Sequence, residues 1–389
     1  MNYSNPREFK TLLAGQSIRY FSKPGIPFWD QVPPSNTLLA ANVVLAPQDQ
    51  VLLLGCGHGA LAVSLASKIR TGRIWLLDSS LIALQLSSQT LLANGVENSQ
   101  MVLGTSLLPE GSETIDVVVM DLPKGRKLAR RWLAEAWHAL RPGGKLYLAG
   151  ANELGIQSVL KDAEGLFGQG SILAYKKGNR VGRFFKTTSR AVEPEWLREP
   201  GIAPGSWNEF EILVKGERLR LRSLAGVFST GELDDGTRLL VDHIPLTPGI
   251  RVLDLGCGYG LIGLLAARAG AEHVDLVDSS LLAVAAAQEN LDFHGIRNAR
   301  AFPSDALNSV LDQRYQLVIS NPPFHVGKAV ETEVTQAFIR QSWQVLDPGG
   351  KLVLVANKFI RYEQYLDRLF TDHERSAETG KYYVLTGTK

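Results

Sequence analysis

Val252-Leu-Asp-Leu-Gly-Cys-Gly-Tyr-Gly260 decides the fold because its pattern occurs twice: Val51-Leu-Leu-Leu-Gly-Cys-Gly-His-Gly59 repeats it 201 residues earlier. A short apolar run that breaks into alternating glycines reads as a strand entering a tight turn, and the apolar residues that follow read as a helix. Leu77-Asp78-Ser79-Ser80 aligns with Val277-Asp278-Ser279-Ser280, Gly95 with Gly295, and Asp121-Leu122-Pro123 with Asn321-Pro322-Pro323, all at a shift of 200 residues. A few residues more bring Pro142-Gly-Gly-Lys145 onto Pro348-Gly-Gly-Lys351. Ordered matches along both halves imply a duplicated domain.

Each half reads as strand, glycine turn, helix, strand ending in Asp, helix, strand, then an apolar strand (Ile115–Met120, Leu317–Ser320) running into a proline loop. That alternation predicts an α/β fold, two tandem domains each built on a mainly parallel, doubly wound sheet. The expected division is residues 1–190, a linker over 191–215 and residues 216–389, with the linker placed by its prolines and mixed charge. Met1–Ser35 reads as a helical or irregular lead-in, and Lys381–Leu385 as a last edge strand.

A length of 389 residues with 45% hydrophobic residues suits two cores. The two cysteines, Cys56 and Cys257, sit at equivalent places in the two halves, which argues against a bridge between them and for a reduced, cytoplasmic setting. The polar start and the lack of an eighteen-residue apolar run support neither export nor a membrane span. A soluble monomer without a metal is expected. A net charge of +2 leaves nucleic-acid binding to local clustering.

Gly256, Gly258 and Gly260 let the backbone turn sharply and approach a ligand at the carboxyl edge of the strands. Asp278, at the end of the next strand, can accept hydrogens from both hydroxyls of a ribose. Nicotinamide dehydrogenases share this logic, but they space their glycines as G-x-G-x-x-G, whereas here the pattern is G-x-G-x-G with an acid two residues before it. Singly, Asp254 reads equally well as a turn residue, and Asp278 or Asp305 as a helix cap; their joint order and spacing favour a ligand site. This half resembles the class I S-adenosylmethionine methyltransferases, Rossmann-like domains. The resemblance implies that Asp254 holds the methionine amine, Asp278 the ribose and Asp305 the adenine amine, with Cys257, Ser279, Ala306 and Asn321 also lining the cofactor.

Asn321-Pro322-Pro323-Phe324-His325 ends an apolar strand in a rigid loop whose carbonyls point in fixed directions. Methyl transfer to a planar amino nitrogen needs that nitrogen aligned and its hydrogens held by acceptors as positive charge develops. The Asn321 side-chain oxygen and the Pro322 carbonyl are the expected acceptors, Pro323 stiffens the loop and Phe324 stacks on the target ring. His325 reads either as a substrate contact or proton shuttle, or as a structural histidine. Asn-Pro-Pro-Phe resembles the target loop of methyltransferases acting on adenine, cytosine, guanine or a protein glutamine amide.

The run Val227-Phe-Ser-Thr-Gly-Glu-Leu-Asp-Asp-Gly-Thr-Arg-Leu-Leu240, the form Asn-Pro-Pro-Phe-His and Val355-Ala-Asn357 resemble the bacterial ribosomal RNA guanine-N(2) methyltransferases of the RsmC and RlmG type. The resemblance spans the whole C-terminal half and the duplicated layout. It implies ribosomal RNA or a ribosomal subunit as partner, 16S RNA favoured over 23S. A protein glutamine-amide methyltransferase and a non-catalytic RNA-binding assembly factor are the alternatives.

The N-terminal copy departs from this pattern. Leu53 stands where Asp254 does, no acid matches Asp305, and Asp121-Leu-Pro-Lys-Gly125 replaces the target loop, so this half is expected to have lost catalysis. Its loop runs into Lys124, Arg126, Lys127, Arg130 and Arg131, and a second basic stretch carries Lys176, Lys177, Arg180, Arg183, Lys186 and Arg190 among Tyr175, Phe184 and Phe185. These cations are candidates for RNA phosphates, the aromatics for stacking; a solvated charged face is the equal alternative.

Overall fold

The computed structural model describes residues 3, 5–107, 113–187, 193–229, 231–322 and 328–389, the side chains of 328–332 excepted. The chain divides into two compact units, one formed by Asn5–Trp207 and the other by Asn208–Lys389 together with Met1–Ser4. The stretch expected as a linker over 191–215 is therefore shared: a 3-10 turn at Glu195–Arg198 belongs to the first unit, and a strand begins the second at Asn208.

The first unit opens with a hairpin of β1 (Arg7–Leu13) and β2 (Gln16–Ser22), where a helical or irregular lead-in was expected. The alternation that a strand needs is present in β1, with Phe9, Thr11 and Leu13 on one face. Ala14 and Gly15, at φ of 49° and 83°, make the two-residue turn that matches strand twist. Then follow α1 (Pro34–Asn42), β3 (Gln50–Leu54), α2 (Ala60–Ala66), β4 (Arg73–Leu77), α3 (Leu81–Ala93), β5 (Ser99–Val102), β6 (Ile115–Asp121), α4 (Arg126–Ala139), β7 (Leu140–Ala151), α5 (Ile156–Phe167), β8 (Ser171–Lys176) and β9 (Asn179–Phe185). The sheet order is β5-β4-β3-β6-β7-β9-β8.

The second unit repeats this plan. A hairpin of β10 (Asn208–Val214) and β11 (Glu217–Ser223) precedes α6 (Asp235–His243), β12 (Arg251–Leu255), α7 (Leu261–Arg268), β13 (His273–Asp278), α8 (Leu281–Phe293), β14 (Ala299–Pro303) and β15 (Tyr315–Ser320). The chain continues through α9 (Lys328–Val345), β16 (Leu346–Asn357), α10 (Glu363–Leu366), β17 (Asp372–Glu378) and β18 (Tyr382–Thr388), in a sheet of order β14-β13-β12-β15-β16-β18-β17. Five strands are parallel, and β18 and β17 add antiparallel ones. The expectation that the last strand lies at the edge is corrected here. β18 is buried along Tyr383–Leu385 and inserts between β16 and β17, while the polar β17 forms the edge, where exposed charge blunts edge pairing.

Strands covered on both faces read as continuous apolar runs; Val51–Leu54 and Val252–Leu253 are fully buried. Asp275, also fully buried, is the exception in β13. It accepts hydrogen bonds from Tyr315 Oη at 2.6 Å and Arg300 Nε at 2.7 Å, and lies 3.0 Å from His273 Nε2. Burial alone would raise its pKa, but Arg300, Tyr315 and His273 together hold it below the usual carboxylate range. Because the folded pKa is depressed, its stabilisation is present above the unfolded value and lost as pH falls through the folded one. Asp275→Asn is expected to cost about 1–3 kcal/mol near neutral pH and to flatten the acid limb of stability, both read from urea midpoints across pH.

Candidate active site at the carboxyl edge of the second sheet

Winding reverses between β12 and β15, which places the ends of β12, β13 and β15 around one crevice. Gly256, Gly258 and Gly260, at φ of 74°, 55° and 86°, carry the chain from β12 into α7. Among the described residues, Gly258 has no heavy atom within 4 Å of where a side chain would start, whereas a Cβ on Gly260 would lie 2.9 Å from the Ala287 backbone. Gly258 thus serves the crevice, and Gly260 the packing of α7 on α8.

Asp254 Oδ2 accepts the Gly263 amide at 2.8 Å, supplying the cap that Gly260 cannot give α7. Its Oδ1 is buried with no partner among the described residues. Burial, with Asp278 adding repulsion, pushes this carboxyl up to about 7 against the bond from Gly263. Asp278 accepts Gly258 N at 3.0 Å on Oδ2 and Ser280 N at 2.8 Å on Oδ1. Burial raises its pKa and these amides oppose the rise. It is not the cap of α8, because the Ser280 hydroxyl takes that place. The neighbouring Ser279 is partly exposed. Cys257 is a free buried thiol, raised by burial, and its amide is spent on the Val277 carbonyl.

Asp305 is buried, followed by Ala306 at φ 50°. Tyr3 donates its hydroxyl to Asp305 Oδ1 at 2.8 Å and packs in the second unit's core. Sequence reasoning missed this residue, which lies 302 positions away and carries no signal of its own.

Asn321 Nδ2 donates to Thr237 Oγ1 at 2.8 Å and Asp234 Oδ2 at 3.3 Å, while Oδ1 is buried with no partner among the described residues. Pro322 is buried; Pro323, Phe324 and His325 lie outside the described residues. Among the described residues, two buried acceptors thus stand unsatisfied at this edge, one carboxylate and one amide oxygen, although buried polar groups normally have partners. Together with the open glycine turn and the diol-sized acceptor pair of Asp278, they fit a nucleoside cofactor bearing an ammonium and a second molecule bearing an amine. Phe359, 94% exposed just after β16, is an aromatic at the same edge that sequence reasoning also missed.

The first unit keeps the frame and loses the acceptors. Leu53 is buried in the place of Asp254, and Asp78 still accepts from Gly57 N at 3.3 Å and Ser80 N at 2.9 Å. Asp121 accepts from Asn36 Nδ2 at 2.8 Å, and burial pushes its carboxyl up to about 6. His58 stacks on Tyr20 with ring centroids 4.3 Å apart, and burial lowers its pKa to about 4, so it is neutral.

Several candidate RNA contacts turn out to hold this unit together. Arg126 and Arg130 both bind Asp162, Arg130 also reaches Glu199, and Arg131 is buried against the Gly201 carbonyl. Lys186 is likewise buried, on the Leu140 carbonyl and Glu113. The expectation that Arg131 and Lys186 face phosphates is corrected on that ground. Lys124, Lys127, Lys176 and Lys177 are exposed, the last in the β8–β9 turn. Arg180 lies over Tyr175 at 4.5 Å and Arg183 over Phe185 at 5.2 Å. Arg190 lies outside the described residues.

This fold and this edge define a class I methyltransferase. The family model "Methyltransferase small domain" matches residues 17–182 and again 218–386. The Ribosomal RNA small subunit methyltransferase C of Psychromonas ingrahamii is 31% identical over 281 residues, 71% of this chain and 77% of that protein. Its namesake from Chromohalobacter salexigens is 33% identical over 288 residues, 73% of this chain and 81% of that protein. Among solved structures, the T. thermophilus 16S rRNA N2 G1207 methyltransferase (RsmC), in complex with AdoMet and guanosine, matches with a TM-score of 0.80 and 30% identity over 98% of both chains. The chain belongs to the methyltransferase small domain family. No described helix is long and apolar enough to cross a membrane, and the described residues contain no metal-binding cluster.

Proposed function

We propose that this chain transfers a methyl group from S-adenosylmethionine to the exocyclic N2 of a guanine in ribosomal RNA, specifically the 16S RNA of the small subunit. The observation that carries this is Asn321 Oδ1, buried at the end of β15 with no partner among the described residues. When bound, S-adenosylmethionine supplies a methyl group made electrophilic by its sulfonium. The chain supplies position and acceptors: Asp254 Oδ1 for the cofactor ammonium, Asp278 for the ribose and Asp305 for the adenine amine. Asn321 Oδ1 and the Pro322 carbonyl accept the hydrogens of the guanine amine, steadying the positive charge that builds on nitrogen before its proton leaves to solvent. Phe324 stacks on the flipped base and His325 contacts it, in keeping with the family resemblance. The relatives named for small subunit RNA support RNA over a protein amide. Both acceptor sets come from one unit of one chain, which supports a working monomer, and the relatives named for ribosomal RNA support a cytoplasmic setting.

The first unit serves RNA placement, with Lys124, Lys127, Lys176 and Lys177 on phosphates and the Arg180–Tyr175 and Arg183–Phe185 pairs as stacking platforms. Changing the four lysines to Glu is expected to weaken 16S RNA binding at least tenfold, on the order expected for several lost phosphate contacts, and to lower its salt dependence in filter binding, with cofactor affinity unchanged.

Asp254 carries a pH dependence. An ammonium binds its ionised form, and the unliganded carboxyl sits at about 7. Cofactor affinity measured by calorimetry is expected to rise about tenfold per pH unit well below that value and to fall again as the cofactor's own ammonium, with an ordinary α-amino pKa of about 7.7–8.0, loses its proton; Asp254→Asn should bind weakly and lack the acid limb. The decisive experiment offers labelled S-adenosylmethionine and 16S RNA or small subunits from a strain lacking this protein. Label in N(2)-methylguanosine that vanishes in Asn321→Ala supports the proposal; cofactor binding without label on any RNA overturns it.

A further inference from the structure

We infer that Asp234 and Thr237, at the start of α6, are positioning residues that fix which end of the Asn321 amide faces the substrate. The inference rests on the role proposed above for Asn321. A side-chain amide is nearly symmetric in shape but not in chemistry: one end donates two hydrogens and the other accepts. Presented the wrong way round, Asn321 would set N–H hydrogens against the hydrogens of the target amine and hold nothing.

The surroundings of Asn321 decide the matter. Asp234 Oδ2 accepts the Thr237 amide at 3.0 Å and the Thr237 hydroxyl at 3.4 Å. With its single hydrogen given to Asp234, the Thr237 hydroxyl can offer only lone pairs to Asn321, 2.8 Å away. Asp234 Oδ2 itself lies 3.3 Å from Asn321 Nδ2. Both neighbours on that side are thus acceptors, and a reversed amide would press its oxygen against a carboxylate and a hydroxyl oxygen. The electrostatic cost falls on the reversed state, so Oδ1 is driven to the side where it has no partner among the described residues.

The first unit carries the same contact with the chemistry exchanged. Its strand end holds the carboxylate, Asp121, and the helix holds the amide, Asn36, bonded at 2.8 Å. Each unit therefore pairs one amide with one carboxylate between the helix and the strand end. Only the second unit puts the amide where a substrate amine would meet it.

Asp234 also caps α6 through Thr237 N, and the choice of variant separates the two roles. Asn caps as well as Asp, so Asp234→Asn keeps the helix start and removes only the carboxylate that disfavours the reversed amide. With the full chain and 16S RNA, kcat is expected to fall about tenfold to hundredfold in Asp234→Asn and in Thr237→Val, as for a lost preorganised contact. Cofactor Kd and melting temperature should stay near wild type in Asp234→Asn, and Thr237→Ser should restore the rate. Wild-type kcat in both Asp234→Asn and Thr237→Val overturns the inference. The side-chain NH2 resonance of Asn321, assigned by its absence in Asn321→Ala, gives a reading that needs no turnover. Slow hydrogen exchange that speeds up in Asp234→Asn supports the positioning, and exchange at the same rate in both overturns it. A wild-type chain that methylates no RNA would count against the proposed function, and the resonance would still decide the positioning.

Discussion

The second unit depends on a constraint of parallel sheets: where winding reverses, no crossover covers the carboxyl ends of the two central strands. Between β12 and β15 that leaves an opening, and the chain meets it with glycines that stay clear and with acceptors whose partners are incomplete. Away from this opening, a buried carboxylate is fully partnered. Asp275, buried in the adjacent strand, has three partners, whereas Asp254 in β12 has one amide and an oxygen with no partner among the described residues. The contrast between these two buried carboxylates separates structural from ligand-facing chemistry more sharply than their shared burial.

Duplication supplies an internal control. Both units build the same sheet order and the same glycine turn, and both keep a carboxylate at the end of the second strand. They differ where chemistry would be done. Leu53 removes one acceptor, and Asp121 turns the other into a carboxylate satisfied by Asn36. The loop and helix beyond Asp121 take part in packing: Arg126, Arg130 and Arg131 tie α4 to Asp162, Glu199 and Gly201. A charge cluster that looks like a nucleic-acid patch in sequence is largely a set of internal ties.

Much of this was legible in the sequence because repeats and apolar runs are local. The two sheets, the glycine turns and the placement of Asp254, Asp278 and Asn321 followed from spacing alone. The opening hairpin was missed because its clearest signal is a lone Ala-Gly turn between strands of mixed polarity. The final strand was put at the edge because pairing order depends on what lies on either side, and β17 is too polar to announce itself. Asp234 and Thr237 stood out only as part of a family-like run; their bearing on Asn321 needs contacts across 87 and 84 residues, which no periodicity encodes.

Tyr3 adds a question of modularity. The second unit looks like a self-sufficient cassette, a contiguous stretch that could be excised, transplanted or expressed alone. Its interior nonetheless includes a phenol from the far side of the first unit's sequence, bonded to Asp305. A cassette cut at Asn208 would carry an acid with a lost donor in the very region that distinguishes the two copies. The second unit is therefore discontinuous in sequence, and its boundary is not the one visible in the repeat.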